Sequence, residues 1–316
     1  MAGRILFNVL QVLFVVGFAP LVEGVTSRLK ENLQSKRGPN VLQPYRDLWK
    51  LLHKDEVVSD QSSWIFRAGP YVSFAAPAFV TLLIPVLTRY ALFFAFMGDM
   101  LGGGFVLALG GFFATLAAVD TANPYGPMGA SRTRMVGFLA EPVFIVVFLT
   151  VSFVAGSTIP YIVQARWITP IANFFEPSHV LLMIAFLMLI LAEDGRIPVD
   201  SPSGNFELAM IDRSKSLEYS GRGAALMKWA GAMRLLVLIC IFLNVLVTPW
   251  GLAAGMRLVD VLIAVPLVLL KIFCFVLVLV YIESSLAKLR LFRITEFLGA
   301  AFVISVVAMI TRLSEI

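Results

Sequence analysis

The residues of this sequence able to do chemistry are ionisable side chains caught in apolar surroundings. Glu23, Asp120, Glu141, Glu193, Arg234, Lys271 and Glu283 fall within or at the edges of long apolar runs. A charge at the centre of a bilayer costs at least about 2.5–3.5 kcal/mol, so a set of this size needs partners or a use. Two arrangements fit. In one, carboxylates whose pKa values are raised by burial relay protons along a hydrated polar path. In the other, the charges pair between helices for structural reasons, for example Glu141 with Arg234. Glu141 and Lys271 lie deepest, whereas Glu23, Asp120 and Glu283 lie nearer interfaces.

Other chemistries are excluded by residue supply. The two cysteines, Cys240 and Cys274, sit in apolar runs, and the two histidines, His53 and His179, are far apart in sequence. An iron–sulfur cluster needs about four thiolates and a zinc site about four N, S or O ligands, so no metal centre is expected in this chain. Neither a phosphate-binding GxxxxGK[ST] loop nor a dinucleotide fingerprint occurs. Any redox chemistry must therefore belong to partner subunits.

The elements that must position these charges are membrane spans. With 59% apolar and 14% charged residues and a mean hydropathy of +0.89, the chain departs from the roughly 45–50% apolar and 25% charged usage of soluble domains. Apolar runs lie at about 5–26, 70–91, 98–119, 135–158, 177–193, 224–248, 256–283 and 294–312. The fold expected is all-α and polytopic, with about eight transmembrane helices, since about 20 apolar residues cross a bilayer and a helix satisfies its own backbone there. The run 177–193 is the shortest. Arg4 ahead of the first run raises a signal peptide, but the length of the run, Pro20 and the lack of a small-residue cleavage site favour a span.

Orientation follows from Lys and Arg placement. Of 25 such residues, 18 fall in the loops after spans one, three, five and seven, and five (Arg4, Arg89, Arg166, Arg257 and Arg312) fall on the other side. The positive-inside rule puts the first set in the cytoplasm and both termini on the non-cytoplasmic side, in an inner (plasma) membrane. The net charge of +5 is accounted for by topology, so nucleic acid is not implied. The chain reads as a single membrane domain over 1–316, without repeats, with cytoplasmic loops 27–69 and 193–228 as docking segments.

In the first loop, Leu42, Tyr45, Leu48, Trp49 and Leu52 recur on one helical face, with Arg46, Asp47, Lys50, His53 and Lys54 around the rest. That pattern predicts an amphipathic helix at the membrane surface. Gly38-Pro39 marks a fixed turn before it. The second loop is far longer than the usual two to eight residues between bundle helices. Its charged and apolar residues alternate, which predicts that it folds against something. Arg196 is a partner for Glu193 or Asp194, which end an apolar run.

The ordered motifs Arg37-Gly38-Pro39-Asn40, Leu42-Gln43-Pro44, Leu48-Trp49-Lys50-Leu51-Leu52, Ala192-Glu193-Asp194-Gly195-Arg196-Ile197-Pro198-Val199-Asp200, Glu207-Leu208 and Glu218-Tyr219-Ser220-Gly221 resemble one family. It is the H-type membrane subunit of respiratory complex I and of group 4 membrane-bound nickel–iron hydrogenases. The resemblance runs from first span to last. It is closest to the formate-hydrogenlyase-type branch, through Gln43-Pro44-Tyr45-Arg46-Asp47-Leu48, Asp120-Thr121-Ala122, Gly129-Ala130-Ser131-Arg132 and the run from Glu283 to Arg290.

The resemblance implies an anchor on which hydrogenase-like large and small subunits and iron–sulfur subunits dock, beside antiporter-like membrane subunits. Nickel–iron and iron–sulfur centres would belong to those partners, with no cofactor in this chain. The implied docking residues are Arg37, Gly38, Pro39, Asp47, Trp49, Arg196, Glu218 and Tyr219. In complex I the equivalent region forms a quinone chamber and the start of an acidic chain. Carried over by motif, Glu193, Arg196, Asp200 and Glu207 would face that chamber, with Glu141 further along. Together with Lys271 and Glu283, these carboxylates make up the expected proton path. One departure stands out: where the family pattern has two further acids, this chain has Ser203 and Asn205. That weakens a quinone-coupled path and leaves the anchor role untouched. The alternatives are the corresponding subunit of a quinone-reducing complex, favoured by a lipid-tail-sized cavity beside the amphipathic helix, and a stand-alone transporter, for which inverted repeats are missing.

Overall fold

The structure, a computed structural model, describes residues 2–90, 93–94, 98–121, 123–167, 176–200, 211–255 and 257–314. Ten α-helices run through them: α1 (Ala2–Leu33), α2 (Gln43–Leu52), α3 (Trp64–Leu83), α4 (Met100–Val119), α5 (Tyr125–Ala155), α6 (Pro160–Trp167), α7 (Pro177–Glu193), α8 (Gly221–Ile241), α9 (Leu258–Ser285) and α10 (Arg293–Leu313). Six are long and apolar enough to cross a membrane: α1, α4, α5, α8 with its extension to Val247, α9 and α10. The 17-residue α7 and the 20-residue α3, which carries Pro70 and Pro77, complete one helix for each of the eight apolar runs. The chain is an all-α multi-pass membrane protein.

Local chemistry sets several boundaries. Ser63 caps α3 by accepting from the Ile65 amide. Asp120, just past α4, accepts from the Ser63 amide, the Ser63 hydroxyl and the Phe66 amide, so one carboxylate covers donors of a helix start that have no intrahelical partner. Asp99 caps α4 through the Leu101 amide. α5 ends at Gly156, whose φ of +58° is the left-handed stop expected of glycine.

Two boundaries differ from the apolar pattern. The run 70–91 stops being helical after Leu83, and Ile84–Arg89 continues as irregular backbone joined to Ala253. α5 begins at Tyr125, ten residues before its apolar run, because the polar turn Tyr125–Arg134 is a helical overhang at the loop-bearing end.

α8 is the central helix. In its most apolar stretch 83% is buried, against 33% in α9 and 28% in α10. Its end loosens into a π-helical turn over Phe242–Val247. α2 lies across α1 and α8: Tyr45 donates to the Gly17 carbonyl, Asp47 pairs with Lys228 at 3.1 Å, and Leu48 is buried. This is the amphipathic helix read from the sequence, with Trp49 67% exposed on its outer side.

Candidate functional site

The end of the bundle that carries both long loops holds a buried charge network, and one turn builds it. α7 ends at Glu193, followed by Asp194 as cap and Gly195 at φ +58°. The Gly195 amide donates to Ala192 and the Arg196 amide to Leu191. These are the paired bonds of a Schellman stop, which glycine makes accessible. The reversal turns Arg196 back into the bundle, where its guanidinium pairs with Asp194 and, at 2.7 Å, with Glu283 near the end of α9. The other Glu283 oxygen lies 2.9 Å from Lys30 in the last turn of α1. The Glu283 side chain is fully buried, with a cation on each of its oxygens. Burial pushes Asp194 up, against the pull of Arg196. Arg196 in turn is held more firmly charged by Asp194 and Glu283, although burial opposes that.

Asp200 makes a second node. One oxygen pairs with Lys288 at 2.8 Å and the other accepts from the Ile211 and Asp212 amides at 3.0 and 3.1 Å. The Leu289 amide donates to the Pro198 carbonyl. The long loop is thereby tied to the α9–α10 connection on one side and closed on itself on the other. Asp212 pairs with Lys215 and lies 3.8 Å from Arg234. Burial works to raise it, but those cations hold it at about 2.

Glu141, Glu193 and Arg234 line a cavity of about 90 Å³, together with Asp200, Asp212 and Lys215. A larger cavity of about 690 Å³ shares part of that wall and extends between α1, α2 and α8 past Glu23, Pro39, Asp47 and Lys228. The structure thus brings Glu141, Glu193 and Asp200 to one cavity wall, whereas Glu283 lies outside it, paired with Arg196, which lines the larger cavity. It places Lys271 elsewhere: its amine donates to the Thr248 and Trp250 carbonyls after the π-helical turn. Arg234 has Asp212 as its acidic partner, and Glu141 lines the same cavity without an ion pair to it. Glu207, Ser203 and Asn205 lie outside the described residues.

Among the residues read as docking positions, Arg37, Trp49 and Glu218 are exposed, and Gly38 and Pro39 are half-buried. Two face inward. Arg196 is held within the charge network, and Tyr219 stacks on Phe66 at 4.2 Å and donates to its carbonyl at 2.9 Å. Ser220 bonds the backbone of Val57 in both directions. Gly221, at φ +48°, lets the start of α8 come against the Lys54 and Asp55 carbonyls, where a Cβ would lie 2.8 and 2.7 Å from those oxygens. The motif Tyr219-Ser220-Gly221 therefore joins the two long loops into one surface.

Sequence reasoning missed Lys30, Lys288, Asp212 and Lys215. Lys30 had a signal: it stands two turns beyond Glu23 on α1, in the last turn of a helix whose dipole favours a cation. The other three were visible only as charges in loops.

A family model described as NADH dehydrogenase matches residues 6–313. Formate hydrogenlyase subunit 4 of Escherichia coli (strain K12) is 32% identical over 311 residues, covering 98% of this chain and 99% of that protein. Hydrogenase-4 component C of the same organism is 29% identical over 308 residues, 96% of this chain and 94% of the relative. Among solved structures, a chain of the membrane-bound sulfane sulfur reductase, described as an archaeal respiratory membrane complex, superposes with a TM-score of 0.85 over 98% of this chain and 99% of that one, at 19% identity. That last likeness is one of fold.

Proposed function

This chain belongs to the NADH dehydrogenase family, and from that premise we propose that it is the membrane-anchor and proton-path subunit of a formate-hydrogenlyase-type hydrogenase complex. Near full-length similarity to formate hydrogenlyase subunit 4 and to hydrogenase-4 component C supports the anchor role. The observation that carries the proton path is the grouping of buried carboxylates around the end of α7: Asp194 and Glu283 share Arg196, Asp200 pairs with Lys288, and Glu193 lines the small cavity with Asp200.

In this reading the joined loops face the cytoplasm, both termini lie on the other side of the inner membrane, and hydrogenase-like large and small subunits dock on the loops. Nickel–iron and iron–sulfur chemistry belongs to those partners. This chain contributes charge placement. Arg196 is shared between Asp194 and Glu283, so a partner that displaces the 194–200 turn changes which carboxylate the guanidinium neutralises. Arg234, Lys215 and Asp212 set the field at Glu193, and Glu141 is the next carboxylate along the small cavity. A proton taken up at Glu193 in one loop position is released toward Glu141 in the other.

The test is Glu193→Gln in the assembled complex. Intact assembly and redox turnover with loss of coupled proton movement is the expected result, and unchanged proton movement removes the path. Purification of the tagged chain in mild detergent tests the anchor: nickel in a co-purifying large subunit is expected. A chain recovered alone, under conditions that preserve such assemblies, overturns it in favour of a transporter.

The second reading, a subunit of a quinone-reducing complex, is favoured by the cavity of about 690 Å³ beside α2, within the roughly 300–1,000 Å³ of small-molecule sites. Glu23, Asp47 and Lys228 would meet a polar head there. A nickel-free complex that extracts with bound quinone would decide for it.

A further inference from the structure

We propose that the turn joining α9 to α10 binds an anionic phospholipid, with Arg290 and Arg293 on the headgroup phosphate and Phe292 beside the start of the acyl chains. The turn lies at a membrane interface because it links two helices that are each long and apolar enough to cross a bilayer. The Arg293 amide donates to the Arg290 carbonyl at 2.9 Å, a closure that holds the two Cα atoms within about 7 Å of each other. Both arginines are exposed, and neither forms an ion pair with Glu296, one turn into α10, or with any other acid among the described residues. Phe292 between them is 82% exposed, more than any other large apolar side chain among the described residues.

The turn is fixed from behind. The Leu289 amide donates to the Pro198 carbonyl at 2.8 Å, and Lys288 pairs with Asp200 at 2.8 Å. Just past the turn, Ile294 and Leu298 are 0% and 1% exposed. Its inner side is thus anchored in the bundle, and what it turns outward is two cations and a phenyl ring. Below them α9 packs on α1, whereas α10 packs on α7 and α5, so the two helices lean on different neighbours. Val278 and Tyr281 of α9 and Val303 of α10 remain on outward faces, 50%, 68% and 59% exposed.

A phospholipid matches both halves of this surface. Guanidinium groups present a fork of donors that fits phosphate oxygens, and their charge favours an anionic headgroup over a zwitterionic one. Large apolar side chains beside basic ones suit the boundary between headgroups and acyl chains. A free phosphate or an acidic segment of a soluble subunit would satisfy the arginines alone. Either would leave Phe292 and the apolar faces of α9 and α10 beneath it without an apolar partner, which the acyl chains supply.

The experiment is photo-cross-linking of the purified complex in mild detergent, using phosphatidylglycerol with a photoreactive group on its acyl chain next to the glycerol, followed by peptide mapping. Labelling of residues 286–293 is expected. Excess plain phosphatidylglycerol should displace the label, whereas phosphatidylcholine with the same chains and inorganic phosphate should not. In the double variant Arg290→Gln/Arg293→Gln the labelling of this segment should fall at least about tenfold, since each basic residue near the surface adds to the binding of anionic lipid. Labels elsewhere on the chain should stay unchanged. Equal displacement by phosphatidylcholine, or undiminished labelling of the double variant, overturns the site and leaves ordinary contact with bulk lipid. Displacement by inorganic phosphate overturns it in favour of a free anion. No label on 286–293 in the complex means that a partner subunit covers the turn, which also overturns it. If the double variant fails to assemble, the competition on the natural complex decides.

Discussion

The two ends of this bundle handle buried polar groups in opposite ways. Beneath the joined loops, charge is balanced by charge: Lys30, Glu283, Arg196 and Asp194 form a continuous run, with Lys288 and Asp200 beside it. At the other end, side-chain donors satisfy stray backbone. Asn244 donates to the Pro85 and Val86 carbonyls, Gln164 to Pro249, Gln11 to Thr81 and Ile84, and Lys271 to Thr248 and Trp250. Charge pairs act over several ångströms and respond to any new charge, whereas an amide bond to a carbonyl responds only to local geometry. The first end can therefore respond to a new charge brought near it, and the second holds irregular backbone in place.

The largest effect that tests this contrast is expected at Glu283. Glu283→Leu leaves Arg196 and Lys30 facing each other without the carboxylate between them. Breaking a buried pair in this way costs about 3–5 kcal/mol. The thermal midpoint of the purified complex should drop sharply, and adding Lys30→Met should recover much of the loss, because the remaining Arg196–Asp194 pair is neutral. No recovery in the double variant would mean that packing, not charge balance, holds this end together.

How far the sequence reveals each end follows the same division. The helices of the eight apolar runs, the amphipathic α2 and the stop at Asp194-Gly195-Arg196 are encoded within short windows by apolar period and turn chemistry. The Lys30–Glu283 contact joins residues more than 250 positions apart in the chain, so local pattern carries no trace of it. The stop of α3 at Leu83 was hidden for a different reason. An apolar run cannot distinguish helix from irregular backbone when distant side chains, here Gln11 and Asn244, supply the missing hydrogen bonds. Lys271 shows the same limit: a lysine deep in an apolar run looks like part of a charge path until the carbonyls it caps are in view.

At the backbone-holding end, Asn244→Leu should have an intermediate effect. It leaves two buried carbonyls without their donor, at a cost of about 1–3 kcal/mol. The loss should be the same at low and high salt, since no ionic pair is broken. A salt-dependent loss would show that the two ends are electrostatically linked, and the distinction drawn between them would fail.

The smallest effect belongs to Asp47–Lys228, which resembles the buried network in composition but not in environment. Its two side chains are 35% and 37% exposed, and the pair spans 3.1 Å between α2 and α8. Exposed pairs contribute about 0–1 kcal/mol and weaken in salt, so Lys228→Met should barely move the thermal midpoint. The pH dependence has a fixed sign. Although burial works the other way, Lys228 holds the Asp47 carboxyl below the usual carboxylate range, so the pair's contribution is complete above that range and is lost as pH falls from it through the lowered folded-state value. Hydrogen exchange of the α2 amides checks this locally: exchange should quicken in acid in the natural chain, and Lys228→Met should remove most of that acid sensitivity. If the variant instead loosens α2 as much as Glu283→Leu loosens the buried network, burial is not what separates strong from weak pairs in this protein.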